Sequence, residues 1–124
     1  MKLRFPKGVK NFEVPIYDQR VYVTTKQSEV DAIDRYMHCG NIEWHLRRHS
    51  AGYCVHEVQE QTGIPLFLVV LRRPIKPHAI VHECGHLALM IAERVGIKVS
   101  YDDQEPFCYL LDWLFAKVTA ELKR

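Results

Sequence analysis

Hydrophobic and polar positions along the chain change period several times, and each change predicts a different element. Two short segments rich in Val, Ile, Phe and Tyr, Phe12–Ile16 and Arg20–Thr25, predict a first hairpin. Polar and apolar residues alternate over Tyr53–Val58, whereas Ile64–Leu71 is an almost continuous apolar run. We expect these two segments to form a second, antiparallel hairpin, since a turn signal at 61–63 separates them.

A helical period follows the first hairpin. Ser28 and Asp31 resemble a capping box, so we expect Ser28 to begin a helix that ends at Gly40. Residues 41–51 have no clean period, and no element is predicted for them.

Two amphipathic helices are predicted to close the chain. The first runs from about Pro77 to Val95 and ends at Gly96. The second is expected to start at Asp102 or Asp103, either of which is a suitable N-cap. Apolar stripes at steps of three and four residues support both, at Ile80, Val81, Cys84, Leu87, Ala88, Ile91 and Val95, and at Phe107, Leu110, Leu111, Leu114, Phe115, Val118 and Leu122.

Composition places this pattern in one ordinary globular domain. The 124 residues, 48% hydrophobic and 26% charged, predict a single domain over 1–124 and argue against disorder. A net charge of +2 is too small to indicate a nucleic-acid partner. The chain has no apolar run of membrane-spanning length and no signal-peptide pattern, so we expect a cytoplasmic protein without a membrane partner.

The predicted fold class is therefore α+β: a small, mostly antiparallel sheet, an early helix, and a C-terminal helix pair. The four cysteines, Cys39, Cys54, Cys84 and Cys108, are widely spaced, so we expect free and mostly buried thiols. Two of them, Cys84 and Cys108, fall on or beside the apolar stripes and are expected in the core.

The sequence His82-Glu83-Cys84-Gly85-His86 carries the candidate chemistry. Positions i and i+4 are about 40° apart around a helix, so both imidazoles can bind one zinc ion. Glu83 lies about 100° from His82, beside the metal position. There it can accept a proton from a zinc-activated water molecule and act as general base. The alternative is a pair of surface histidines on an amphipathic helix.

A catalytic zinc site needs a third protein ligand and an open fourth position. Glu105, 19 residues after His86, is the preferred candidate, because a short loop makes the two closing helices neighbours. Asp102 and Asp103 are rivals, but we assign them to capping. Glu105 could also be simply an acid at a helix N-terminus, where the helix dipole favours it.

Other residues have weaker assignments. Asp112 is a candidate to accept a hydrogen bond from a metal-bound histidine, and Tyr109 to stabilise an oxyanion or polarise a carbonyl. A solvated acid and a packing tyrosine are the respective alternatives. His78 lies one turn before His82 and is a candidate to line the cleft. No metal role is indicated by the spacing of the remaining histidines, His38, His45, His49 and His56.

The two motif regions together suggest a family. Val81-His-Glu-Cys-Gly-His-Leu-Ala-Leu-Met, Arg94-Val-Gly-Ile and Gln104-Glu-Pro-Phe-Cys-Tyr-Leu-Leu-Asp-Trp-Leu resemble the small zincin-like metallopeptidases encoded by tailed bacteriophages and prophages. The resemblance spans roughly Val14 to Leu114, and its last third is specific.

The resemblance implies a gluzincin-like site with one zinc ion bound by His82, His86 and Glu105, and with Glu83 as the base. It also implies a peptide or protein substrate and, for a phage protein, the host cytoplasm as location. Thermolysin-type enzymes have Asp four residues after the ligand Glu, whereas this chain has Tyr109. The residue that orients the ligands is therefore left open between Asp112 and others.

Three functions are consistent with these observations. The first is a zinc-dependent peptidase that binds an extended peptide along a sheet edge offered by the early or the middle hairpin. The second is a zincin-fold zinc-binding module that binds a host or phage protein without turnover. The third is a structural phage component with a vestigial motif. Glu83 favours the enzyme, because a purely structural site needs no base beside the metal. The sequence indicates no oligomeric state.

Overall fold

A computed structural model describes residues 3–41, 43–44 and 51–124 and contains four strands and three helices in these ranges. The predicted positions His45 and His49 lie outside the described residues. The elements, in chain order, are β1 (Lys10–Val14), β2 (Gln19–Thr24), α1 (Gln27–Met37), β3 (Gly52–Val58), β4 (Pro65–Leu71), α2 (Pro77–Val95) and α3 (Glu105–Leu122).

The strands form one mixed sheet in the order β1-β2-β4-β3. Both hairpins are antiparallel, with Phe12 opposite Val21 in the first and Cys54 opposite Val69 in the second. The hairpins are joined through a parallel pairing of β2 with β4. The fold class is thus α+β with a mostly antiparallel sheet, an early helix and two C-terminal helices, as the sequence predicted.

Helices cover both faces of the sheet. Alternate residues of β4 point to opposite sides. Phe67, Val69 and Leu71 pack in the larger core with α2 and α3, and Leu66, Leu68 and Val70 pack in a second core with α1. Because β4 is central and buried on both faces, its sequence is a continuous apolar run rather than an alternating one.

The two C-terminal helices divide the larger core between them. α2 contacts β4 and the terminal strand β3, whereas α3 contacts β1 and β2 at the other side of the sheet. The helices also pack against each other. One flank of α2 therefore faces β3, and its opposite flank faces α3. In the described part of the chain, no helix has both the length and the apolar character needed to cross a membrane.

The helix starts differ from the predicted ones. α1 begins at Gln27, so Ser28 lies inside the first turn and caps nothing. The nearby Thr24 hydroxyl instead accepts the Lys26 N–H at 3.1 Å and hydrogen bonds Glu29 at 2.5 Å. The prediction that Asp102 or Asp103 caps α3 is also wrong.

The residue at the N-cap of α3 is Gln104, and its side chain makes no capping hydrogen bond. Asp103 instead pairs with Ser100 in an isolated β-bridge, so both aspartates belong to the turn before the helix. The C-terminal ends agree better with the sequence. Gly96 ends α2 in the left-handed conformation with φ of 82°, which glycine adopts without steric cost.

Two predicted core residues are exposed. Val81 lies at the edge of the α2 stripe and is half exposed. Cys108 precedes the buried Leu110 by two positions, about 200° around the helix, and therefore faces solvent. Cys84 is fully buried, as predicted. The four thiols are free, but Cys39 and Cys54 are only partly buried, so the expectation of mostly buried thiols is wrong.

A buried charged cluster links the end of α1 to β3. The Asp34 carboxylate, fully buried, contacts His38 Nδ1 at 2.6 Å, and His38 Nε2 contacts Glu57 of β3 at 2.8 Å. The second Asp34 oxygen accepts the backbone N–H groups of Glu43 and Trp44. Burial alone would lower the pKa of His38, but the Asp34 hydrogen bond and the Glu57, Glu43 and Asp34 charges outweigh it, and the pKa is raised.

The raised pKa of His38 predicts how stability depends on pH. A histidine with a higher pKa in the folded state stabilises the fold below its unfolded pKa, and this contribution is lost as pH rises through the folded pKa. We expect His38→Gln to lower the free energy of unfolding by about 1–3 kcal/mol at pH 5.5, because it leaves buried carboxylate oxygens without their partner. The loss should be smaller at pH 9, where His38 is neutral in both states.

Urea denaturation at the two pH values measures this difference. His78→Gln is the matched control, since His78 is an exposed histidine with no ion pair among the described residues. An equal loss at both pH values for His38→Gln would show that the cluster contributes no charge-dependent stability.

Candidate metal centre

The two motif histidines lie on the outer side of α2. Cys84, Leu87 and Ile91 are fully buried in the larger core. At about 100° per residue, His82 and His86 lie on the side of the helix opposite this core stripe. Both are exposed, as predicted. Burial of the apolar stripe thus fixes the direction of both imidazoles.

The ring nitrogens of the two histidines are close together. His82 Nε2 and His86 Nε2 are 3.1 Å apart, and the rings meet edge to face with centroids 4.8 Å apart. A ligand atom of Glu83 completes the group, whose three atoms lie within 4.8 Å of one another. Among the described residues, this is the one group of three or more His, Cys, Asp or Glu side chains with such spacing.

Glu83 occupies a different environment from the histidines that flank it. It is buried, with 5% of its surface exposed, because it lies on the flank of α2 that faces β3. This burial raises the pKa of the Glu83 carboxyl, although the adjacent His82 and His86 charges oppose the shift. The site therefore combines two exposed nitrogen donors with one partly desolvated carboxyl group.

Residues of β3 form the other wall of the site. Gly52, Tyr53 and Cys54 line a shallow depression of about 290 Å³ together with the cluster and Met90. A Cβ atom at Gly52 would lie 2.4 Å from the Val70 carbonyl oxygen, so the close approach of β3 to β4 here requires glycine. The sequence analysis gave no site role to these β3 residues.

The thiols near the cluster are protonated at neutral pH. Burial, followed by the Glu83 charge, raises the pKa of Cys84 to about 12. The same two causes raise the pKa of Cys54 still further. Both cysteines therefore act as apolar contacts between α2 and β3 in the metal-free chain.

Glu105 and Tyr109 lie elsewhere than the histidine pair. Glu105 is the first residue of α3, is exposed, and is not part of the three-residue cluster. Tyr109 lines a separate groove against the β1–β2 turn. The reason is topological: the cluster lies toward β3, whereas α3 packs on the other flank of α2. The ligand role of Glu105 and the catalytic role of Tyr109 stay predictions.

The remaining candidates are not brought to the cluster either. Asp112 is exposed on α3, and His78 is exposed in the first turn of α2. His38 belongs to the charged cluster on the opposite face of the sheet. His56 stacks on Phe67 with ring centroids 4.2 Å apart, and burial, together with the Arg94 charge, lowers its pKa.

Comparison with known proteins adds no relative. No protein-family model matches the chain, and neither a curated protein nor a solved structure matches it. The resemblance to phage zincin-like proteins thus rests on the motif residues, and function has to be argued from the site.

Zinc binding by the histidine pair is directly measurable. We expect purified protein to bind about one zinc ion per chain. His82→Ala and His86→Ala should each weaken zinc binding about a hundredfold or more in a competition assay with a zinc chelator, because each removes one donor. His78→Ala, which removes an exposed histidine of the same helix, should bind zinc like the wild type. Unchanged zinc affinity in both motif variants would contradict the site.

The third ligand is tested separately with Glu105→Ala. If Glu105 coordinates the ion when zinc is bound, this variant should lose zinc affinity, whereas Asp112→Ala should not lose it to the same extent. Equal zinc affinity for Glu105→Ala and the wild type would remove Glu105 from the ligand set. The same chelator competition measures both variants.

Proposed function

We propose that the protein is a zinc-dependent peptidase. The observation that carries the proposal is the placement of two histidine Nε2 atoms 3.1 Å apart beside the buried Glu83 carboxyl. The motif's resemblance to phage zincin-like peptidases supports the same class. No described element contradicts it.

The spacing of the two nitrogens fits a tetrahedral zinc ion. With Zn–N bonds of about 2.05 Å, a separation of 3.1 Å corresponds to an N–Zn–N angle of about 98°. An ideal tetrahedron requires about 3.3 Å, so a shift of a few tenths of an ångström is sufficient. His82 and His86 would supply two ligands, and Glu105 is proposed as the third.

Glu83 has the position that a general base needs. When bound, a zinc ion supplies Lewis acidity that lowers the pKa of a coordinated water molecule toward about 7. The Glu83 carboxylate would accept the proton of that water and later transfer it to the leaving amine of the peptide. Its burial against β3 holds it beside the two imidazoles, since its position on α2 leaves it little freedom to turn toward solvent.

The terminal strand β3 offers a way to bind an extended peptide. Within the described residues, β3 has a neighbouring strand on one side only. Ala51 and Gln59 exchange hydrogen bonds on the β4 side, so the alternation of the ladder directs the backbone groups of Cys54 and His56 away from β4. A peptide paired with this edge would pass beside the cluster, which favours the middle hairpin as the substrate edge.

A second candidate is a zinc-binding module that acts by binding a protein, without turnover. The specific observation in its favour is the composition of the cluster, which contains Glu83 but not Glu105. If Glu83 itself coordinates the ion, no base is left beside it, and zinc stabilises the α2–β3 contact instead.

One variant distinguishes the two candidates. Glu83→Gln preserves side-chain size but cannot accept a proton, so we expect it to retain zinc and to lose peptide cleavage by about a hundredfold or more. Cleavage is measured by mass spectrometry after incubation with a broad peptide library. Glu93→Gln, an exposed glutamate further along the same helix, is the control.

The outcome for zinc and the outcome for cleavage are read independently. Weakened zinc binding in Glu83→Gln would assign Glu83 as a ligand and support the binding module. Retained zinc with undiminished cleavage would rule out Glu83 as the base. Absence of cleavage by the zinc-loaded wild type across the library would overturn the peptidase.

A further inference from the structure

The groove lined by Tyr109 lies outside the proposed metal centre and needs its own explanation. It has a volume of about 370 Å³ and runs between the β1–β2 turn and the first turns of α3. We call it the hairpin groove. Its walls are almost entirely apolar and are formed by Val14, Pro15, Ile16, Tyr17, Pro106, Tyr109, Leu110 and Trp113.

Aromatic and proline rings dominate the hairpin groove. Tyr17, Tyr109 and Trp113 supply three aromatic rings, and Pro15 and Pro106 supply two more flat apolar surfaces. Tyr109 is 70% exposed, so its ring is presented to solvent rather than packed. Grooves of this composition suit the polyproline II helix, whose proline rings pack against aromatic rings.

The hydrogen-bonding groups of these aromatic residues are also suitable. No described residue accepts a hydrogen bond from the Tyr17 or Tyr109 hydroxyl or from the Trp113 indole N–H. A polyproline II segment has no internal hydrogen bonds, and its proline residues present carbonyl oxygens without N–H donors. Unpaired donors on a groove wall are therefore complementary to such a segment.

Charge around the hairpin groove indicates which flanking residues a partner should carry. Asp18 follows Tyr17, Glu105 precedes Pro106, and Asp112 precedes Trp113. Within the described ranges, these three acids make no ion pair. The Asp18 side chain hydrogen bonds Glu13 and raises the pKa of Glu13, which reflects concentrated negative charge at the hairpin end.

The nearby cations already have partners. Arg20 pairs with Glu13 at 3.2 Å, Lys117 lies over the Trp113 ring at 5.4 Å, and Arg94 donates to Gln19 at 3.1 Å. The uncompensated charge beside the groove is therefore negative, and a cationic segment complements it.

We propose that the hairpin groove binds a proline-rich segment of a partner protein, in the polyproline II conformation and flanked by arginine or lysine. The aromatic walls would hold the proline rings, and the three acids would attract the basic flank. This inference is independent of the metal centre, which lies on the opposite flank of α2.

The test uses a defined probe peptide, Arg-Pro-Leu-Pro-Pro-Leu-Pro-Arg, blocked at both ends. We expect saturable binding to the wild-type chain, followed by NMR shifts of the Trp113 indole N–H and of amides in the β1–β2 turn. A peptide with every proline replaced by alanine should bind at least about tenfold more weakly, because it lacks both the rings and the preformed conformation. A peptide with both arginines replaced by glutamate should also bind more weakly.

Two variants connect binding to the groove. Tyr109→Ala should weaken peptide binding at least about tenfold, since aromatic residues at interfaces often contribute this much. Tyr101→Ala is the matched control, because Tyr101 is 90% exposed and does not line the groove. Because Tyr109 is largely exposed, its variant should keep the thermal stability of the wild type, which is measured in parallel.

Several results would overturn the proposal. These are the absence of saturable shifts up to millimolar peptide, equal binding of the proline-free peptide, and wild-type binding by Tyr109→Ala. Self-association of the chain that Ile16→Asp abolishes would show that a second copy fills the groove instead. His82→Ala should leave peptide binding unchanged, so failure here leaves the zinc proposal intact, and the reverse also holds.

Discussion

The burial of one apolar stripe of α2 against β4 is the constraint on which the candidate site depends. Cys84, Leu87 and Ile91 are fully buried, and this fixes the rotation of the helix about its axis. Once the rotation is fixed, His82 and His86 must point outward. Glu83 must lie on the flank toward β3. The site thus needs no dedicated framework, because the packing that stabilises the domain also places its donors.

The fold was largely predictable from periodicity. Both hairpins, the early helix and the two closing helices are present, because each has a strong pattern bounded by turn or glycine signals. Local predictions failed where a neighbouring residue took over a role. Thr24 replaces Ser28 in ordering the start of α1, and Asp103 pairs with Ser100 instead of capping α3. Stripe edges were equally uncertain, as Val81 shows, since exposure there depends on which helix packs alongside.

The site was predictable only as far as one helix determines it. The i, i+4 spacing of His82 and His86 and the flanking position of Glu83 follow from helix geometry alone. The contribution of Gly52 and Cys54 depends on β3 being the terminal strand beside α2, which requires the order of the whole sheet. Likewise, no local pattern links His38 to Glu57, which lie on separate elements brought together by the second core. Glu105 belongs to this second category, because its position depends on how α3 packs.

The account makes a specific claim about ligand atoms, and zinc K-edge X-ray absorption on the zinc-loaded chain tests it most directly. The account predicts a four-coordinate ion with nitrogen and oxygen donors at about 2.0 Å and the multiple-scattering pattern of two imidazoles. Sulfur scattering at about 2.3 Å would place a cysteine in the site and contradict the ligand set. A spectrum without imidazole scattering would contradict the central role of His82 and His86.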